Sequence, residues 1–174
     1  MRATMTTLLS LAAFAAGAQG SAPAGFPPVE GKDLNERTLS LPGDFAGPAS
    51  LVFVAFERSQ QEDVDSWKPF VQEMQRLRPG LRFYELPEIG KGYTWLRGFI
   101  DGGMVSGIPD PNLRASTITL YIEVAPFVKA LGVETTKTIA AFVVAPSGEI
   151  LGRSSGRYTQ PAAEPLAEAL KALP

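Results

Sequence analysis

Short apolar runs that end in turn residues predict the strands of a central sheet. The run Leu51–Phe56 is continuous and consists mostly of β-branched and aromatic side chains, which is typical of a buried central strand. Earlier in the chain, a weak alternation with a turn at Gly31–Asp33 predicts an amino-terminal hairpin or extended arm. Four more strands are predicted, at 81–86, 117–122, 138–145 and 149–155.

Apolar residues at helical spacing predict helices between these strands. The predicted helices cover about 60–78, 94–100 and 124–132, with a last one that begins near Pro165. Gly102 and Gly103 are expected to end the second helix, and the proline-containing segment 106–116 is expected to be a loop.

The first helix carries two local signals. Ser59 and Glu62 have the spacing of a capping box, which predicts that Ser59 caps the helix. Pro69 cannot donate a backbone hydrogen bond, so it predicts a kink or a break after Trp67. Trp67 itself is expected to lie in the core.

The order of elements is β-α-β, a helix-rich insertion, and then β-α-β-β-α. Alternation followed by a hairpin favours an α/β fold with a mixed sheet flanked by helices and a helical or loop insertion at about 87–116. We expect one domain over 29–174, with an extended leader at 21–28.

Residues 1–20 have the layout of a secretory signal peptide. Arg2 precedes a short apolar stretch and then small residues, with Ala16 and Ala18 at the spacing of a cleavage site. The apolar stretch is too short to span a bilayer. We therefore expect a periplasmic or secreted protein with no transmembrane anchor in the mature chain, which would begin at Gln19 or Ser21.

Composition then excludes several kinds of chemistry. The 174 residues include no cysteine and no histidine, so disulfide exchange, Ser-His-Asp or Cys-His catalysis and zinc or copper sites of His and Cys are all ruled out. The net charge is −2, and the basic residues are scattered, which argues against nucleic-acid binding. We predict no catalytic residues, no metal site and no cofactor.

The beginning and the end of the chain resemble the thioredoxin-like fold. The entry "FPPVEGKDLNERTLSLPGDFAGPASLVFVAF" and the exit "LGVETTKTIAAFVVAPSGEILGRSSG" resemble peroxiredoxin-type and periplasmic thiol-reductase-type members. In those proteins a Cys-x-x-Cys pair would occupy Ser59–Glu62, or a frame one residue away, and a cis-proline would lie near Ile139. This chain has neither.

The middle of the chain has a narrower resemblance, to the mitochondrial ATP-synthase assembly factor family and its bacterial relatives. It rests on "TWLR", the turn Met104-x-x-Gly107-Ile108, and an arginine-containing loop before "TITLY". The resemblance implies a thioredoxin-like core and a role in assembling a membrane complex.

Seven residues form the candidate binding sites. One group lies at the predicted strand-to-helix junction, where α/β sheets bind ligands, and the other lies in the insertion. Arg58, Arg97 and Arg114 would form an anion-binding patch if they converged, although scattered surface arginines are the simpler interpretation. Trp95 and Phe99 either cover a sheet face or form a partner-binding surface. The candidates are Glu57, Arg58, Gln61, Trp95, Arg97, Phe99 and Arg114.

These observations favour a non-redox, thioredoxin-like binding or assembly protein of the cell envelope that is not an enzyme. Its partner is expected to be a protein, and a membrane complex is one candidate. Two alternatives stay open: a small-ligand carrier that uses the edge at 57–61, and a non-thiol enzyme built from Glu, Arg, Lys or Tyr. An enzyme would need a concave pocket with a carboxylate or lysine whose pKa is shifted.

Overall fold

Seven strands form one mixed sheet in the computed structural model, which describes residues 25–173. The sheet order is β2-β1-β5-β4-β3-β6-β7, in which β3, β4 and β5 are parallel and the other neighbours are antiparallel. The strands are β1 Val29–Asp33, β2 Thr38–Leu41, β3 Ser50–Ala55, β4 Arg82–Gly90, β5 Ile118–Ile122, β6 Ala140–Val144 and β7 Ile150–Ser155.

Helices cover both faces of the sheet. One apolar core lies between the sheet, α5 and the amino-terminal segment, and the other lies between the sheet, α1, α2 and α6. The helices are α1 Gln61–Ser66, α2 Lys68–Leu77, α3 Arg97–Gly107, α4 Pro111–Ser116, α5 Val124–Leu131 and α6 Gln160–Lys171, with 3₁₀ segments at Arg58–Gln60 and Lys91–Leu96. The predicted α/β fold with a mixed sheet is confirmed.

Several local predictions are confirmed with it. Every residue of β3 is buried, as expected for a central strand. The helix after it breaks at Trp67, with Pro69 in the first turn of α2, where its missing N–H costs nothing. Trp67 is fully buried. Gly132 ends α5 in the left-handed conformation.

The amino-terminal turn is misplaced in the sequence interpretation. Gly31 lies inside β1, where a Cβ would be 2.6 Å from Cγ2 of Ile118, so the glycine allows β1 to approach β5. The turn follows at 34–36 and is held by Asp33, whose carboxylate accepts hydrogen bonds from the backbone N–H groups of Asn35 and Arg37 at 2.9 Å each.

Three helix predictions are also wrong. Segment 97–107 is one helix that continues through Gly102 and Gly103, and 111–116 is a helix rather than a loop. The last helix begins at Gln160, because the Thr159 hydroxyl accepts from Ala162 N–H, and it includes Pro165. The insertion between β4 and β5 begins at 91, since β4 extends to Gly90.

The leader lies partly inside the described residues. Gly25 forms an isolated bridge with Glu149, and Phe26 packs edge-on against Phe45, Phe127 and Phe142. The predicted signal peptide at 1–20 lies outside the described residues. Among residues 25–173, no helix is long and apolar enough to cross a membrane.

Candidate functional site

Gln60 ties the end of β3 to the segment before β6. Its side chain is buried, although it lies in an otherwise exposed 3₁₀ segment. Its Oε1 accepts a hydrogen bond from Phe56 N–H at 2.9 Å, and its Nε2 donates to the carbonyl oxygen of Thr136 at 2.8 Å. The junction that would hold the first cysteine of a redox pair is therefore linked internally by an amide.

Ser59 does not cap the helix, so the capping-box prediction is wrong. α1 begins at Gln61, after a 3₁₀ segment, and its N-terminus has no side-chain cap. The Ser59 hydroxyl instead donates to the carboxylate of Glu57 at 3.2 Å. Glu57, Arg58 and Ser59 are all exposed, and they remain available for contact with another molecule.

We therefore expect Gln60→Ala to destabilise the protein more than Ser59→Ala. Removing the amide leaves Phe56 N–H and the Thr136 carbonyl without their partners at a partly buried site, which costs about 1–3 kcal/mol. Ser59→Ala changes an exposed group and should cost no more than about 0.5 kcal/mol. Urea unfolding of both variants measures the difference, and equal stabilities would show that the Gln60 amide does not hold the junction.

Gln61 contacts acidic side chains of α1 and β4. Its Nε2 donates to Asp65 Oδ1 at 3.2 Å, and its side chain is also hydrogen-bonded to Glu85 on β4. Desolvation raises the pKa of the Glu85 carboxyl, while the hydrogen bond from Gln61 opposes that rise. Gln61 thus has an intramolecular role that the sequence did not indicate.

The charged residues of α3, Arg97 and Asp101, point towards the sheet. The Tyr121 hydroxyl donates to Asp101 Oδ1 at 3.0 Å, and the Arg97 guanidinium lies 4.5 Å from the centroid of the Tyr121 ring. Arg97 Nε is 3.9 Å from Asp101 Oδ2. Burial, together with the hydrogen bond to Asp101, raises the pKa of Tyr121 above its usual range. These contacts attach the insertion to the carboxyl end of β5.

The aromatic residues of the insertion are exposed to solvent. Tyr93, Trp95 and Phe99 are 58%, 79% and 82% exposed, and we call these three residues the aromatic surface. The interpretation of Trp95 and Phe99 as cover for a sheet face is therefore wrong. A helix with charged residues inside and aromatic residues outside reverses the usual arrangement of a surface helix.

The structure gives the three candidate arginines separate surroundings. Arg58 is exposed in the 3₁₀ segment after β3, and Arg97 lies on Tyr121 near the end of β5. Arg114 precedes β5, and its Nη2 donates to the carbonyl oxygen of Pro109 at 2.9 Å. Their convergence stays a prediction.

Glu88 is a buried carboxyl that sequence analysis missed. It lies on β4 opposite Leu120, on the same face as Tyr84 and Leu86, and its Oε1 has no hydrogen-bond partner. Desolvation raises its pKa to about 7. The missed signal is the alternation Tyr84, Leu86, Glu88, which continues the inward-facing row of the strand beyond its predicted end.

No group of three or more acidic, cysteine or histidine side chains among residues 25–173 could hold a metal ion. Two surface depressions lie beside the β1–β2 hairpin and between α2 and α6. Neither contains Glu85 or Glu88, so neither combines a concave surface with a carboxyl whose pKa is raised.

The fold is similar to that of many solved proteins, whereas no family model and no curated protein sequence matches the chain. The copper-bound structure of yeast Sco1 is 15% identical, with a TM-score of 0.60 over 88% of this chain and 96% of that one. The thioredoxin domain of a thiol-disulfide oxidoreductase from Bacteroides vulgatus is 16% identical, with a TM-score of 0.53 over 88% of this chain and 99% of that one.

A third similar structure is the exposed lipoprotein thioredoxin Etrx1 of Streptococcus pneumoniae. It is 12% identical, with a TM-score of 0.55 over 84% of this chain and 100% of that one. The resemblance to ATP-synthase assembly factors stays a prediction. At these identities the comparisons establish the architecture alone, so this protein has a thioredoxin-like fold that contains no cysteine.

Proposed function

We propose that the protein is a non-redox binding protein of the cell envelope and that its aromatic surface contacts a protein partner. The observation that carries the proposal is the orientation of the insertion, with Arg97 and Asp101 directed at Tyr121 while Trp95 and Phe99 are exposed. Exposed aromatic side chains in one region are characteristic of interaction sites, because tryptophan and tyrosine contribute much of the energy at protein interfaces.

Three further observations support a binding role over the alternatives. Thiol chemistry is impossible without cysteine. A carrier that uses the edge at 57–61 would need an open junction, and there the Gln60 side chain fills the space between Phe56 and Thr136. The signal-peptide pattern of residues 1–20 supports export, and one of the structurally similar proteins is described as an exposed lipoprotein.

The experiment places a photo-crosslinking amino acid at Phe99 in the living cell. We expect one crosslinked product of defined mass that contains a second protein. Leu77 is the matched control position, because it is 56% exposed and precedes β4, whereas the aromatic surface follows β4. The nine residues of that strand span about 30 Å. Crosslinks that are the same from both positions would refute the proposal.

Substitution of the aromatic surface should weaken binding without affecting the fold. Trp95→Ala is expected to cost 2 kcal/mol or more of binding free energy, which is about a 30-fold rise in the dissociation constant. The free energy of unfolding should change by no more than about 0.5 kcal/mol, because the side chain is 79% exposed. Leu77→Ala should change neither quantity. Unchanged affinity in Trp95→Ala would move the contact site elsewhere.

A further inference from the structure

The exposed face of α3 contains large and small residues in a regular order. Trp95, Phe99, Gly103 and Gly107 follow one another at four-residue intervals, so they lie in one row along the helix and the 3₁₀ turn before it. The first two members are aromatic and exposed. The last two are glycines, and an added Cβ at either one would meet no atom within 4 Å. The row thus has two protruding side chains followed by two open positions.

We propose that this row is the contact surface for a second copy of the chain, packed antiparallel about a two-fold axis. Placing the axis at the level of residue 101 puts Phe99 of each copy over Gly103 of the other. The same register puts Trp95 over Gly107. A two-fold interface requires one patch that is complementary to itself, and two aromatic residues at one end of a row with two glycines at the other end meet that requirement.

The charge distribution of α3 favours this contact. The charged residues of the helix, Arg97 and Asp101, face Tyr121 and are not part of the exposed row. The exposed row itself therefore brings no like charges together. The glycines also allow the two helix backbones to come closer than longer side chains would permit.

The area involved is that of a weak interface. An aromatic side chain buries about 150–250 Å² when fully covered, and the two aromatic residues of the row are 79% and 82% exposed. Each copy therefore offers on the order of 250–400 Å² of ring surface. With the glycine surface that it covers, the pair stays below the order of 1,200 Å² that stable complexes bury, which suits a weak dimer.

This inference rests on the proposed binding role of the aromatic surface, and it names one partner. Sedimentation equilibrium of the full chain should show a monomer–dimer equilibrium with a dissociation constant on the order of micromolar. Phe99→Ala and Gly103→Leu should each weaken the dimer about 10-fold or more, and Leu77→Ala should not. Leucine favours helix, and a Cβ at 103 would meet no atom of its own copy within 4 Å, so Gly103→Leu should leave the monomer as stable as before or more stable.

A cysteine-free chain also permits a direct test of the register. With the axis at residue 101, the two copies of Gly102 are offset by two residues, or about 3 Å along the helix. Gly102→Cys should therefore form an intermolecular disulfide under mild oxidation, whereas Leu77→Cys should stay monomeric. A disulfide needs Cα atoms within about 7 Å, so two chains that meet only in random collisions form it much less efficiently than two chains held in this register.

Two results would overturn the inference. One is a chain that stays monomeric up to about 100 µM, well above the expected constant. The other is a dimer that tolerates Gly103→Leu and crosslinks equally from 77 and 102. The proposed binding function would survive either result if Phe99 still crosslinks a different protein in the cell. It would fail separately if Phe99 gives no crosslinked product at all.

Discussion

Replacing Trp67 by alanine is expected to lower the free energy of unfolding by about 3–5 kcal/mol. The indole is fully buried between α1 and α2, and its ring centroid lies 5.3–5.6 Å from those of Phe53, Phe70 and Tyr158. Its Nε1–H donates to the carbonyl oxygen of Gly156 at 2.9 Å, so the substitution also leaves that carbonyl without its partner. A loss of this size approaches the whole stability of an ordinary domain.

The chain contains a matched control, because it has only one other tryptophan. Trp95→Ala removes the same side chain from a position that is 79% exposed and should change stability by no more than about 0.5 kcal/mol. Urea unfolding followed by far-UV circular dichroism compares the two variants directly. Trp67→Phe tests the hydrogen bond, since it keeps an aromatic ring in the core and removes the donor. Similar losses at 67 and 95 would contradict the assignment of one tryptophan to the core and the other to the surface.

Stability is expected to fall between about pH 4.5 and pH 7 because of Glu88. Burial raises the pKa of its carboxyl to about 7 in the folded protein, whereas in the unfolded chain it is about 4.3. The folded state therefore binds the proton more tightly. The stabilisation is complete below the unfolded pKa and is lost as the pH rises through the folded pKa. The total change is on the order of 3 kcal/mol.

Glu88→Gln should remove this dependence, because its amide has no charge to lose. The free energy of unfolding, measured by urea at intervals from pH 5 to pH 8, should fall more steeply for the wild type than for the variant. Glu85→Gln is the necessary control, since desolvation also raises the pKa of that carboxyl and it titrates in the same direction. Parallel profiles for the wild type and Glu88→Gln would show that the Glu88 carboxyl is solvated in the folded state.

Patterns that reflect local physics predicted much of the fold. The buried strand β3 reads as a continuous apolar run, and the break at Trp67 follows from the missing N–H of Pro69. The end of α5 at Gly132 follows from the left-handed conformation that glycine adopts without strain. In each case one or two residues determine the outcome, so no knowledge of tertiary contacts is needed.

The misplaced elements depend on contacts between distant parts of the chain. Two successive glycines such as Gly102 and Gly103 usually end a helix, but α3 continues through them and is anchored to β5 before them by the contacts of Arg97 and Asp101 with Tyr121. The sequence pattern predicted a turn at Gly31. The actual role of this glycine is to let β1 approach Ile118, which lies 87 positions away along the chain, so no local pattern could indicate it. The exposure of Trp95 is likewise invisible in a pattern that counts apolar residues without showing which side of the helix meets the sheet.

The Gln60 bridge makes this junction an unfavourable place for a thiol. A cysteine at 60 would replace an amide that both donates and accepts with a weak donor too short to reach both Phe56 N–H and the Thr136 carbonyl. The change would lower stability by about 1–3 kcal/mol, and the chain would still lack a second thiol with which to form a disulfide. A thiol-disulfide site at this junction would therefore need at least two substitutions and another link between β3 and the segment before β6.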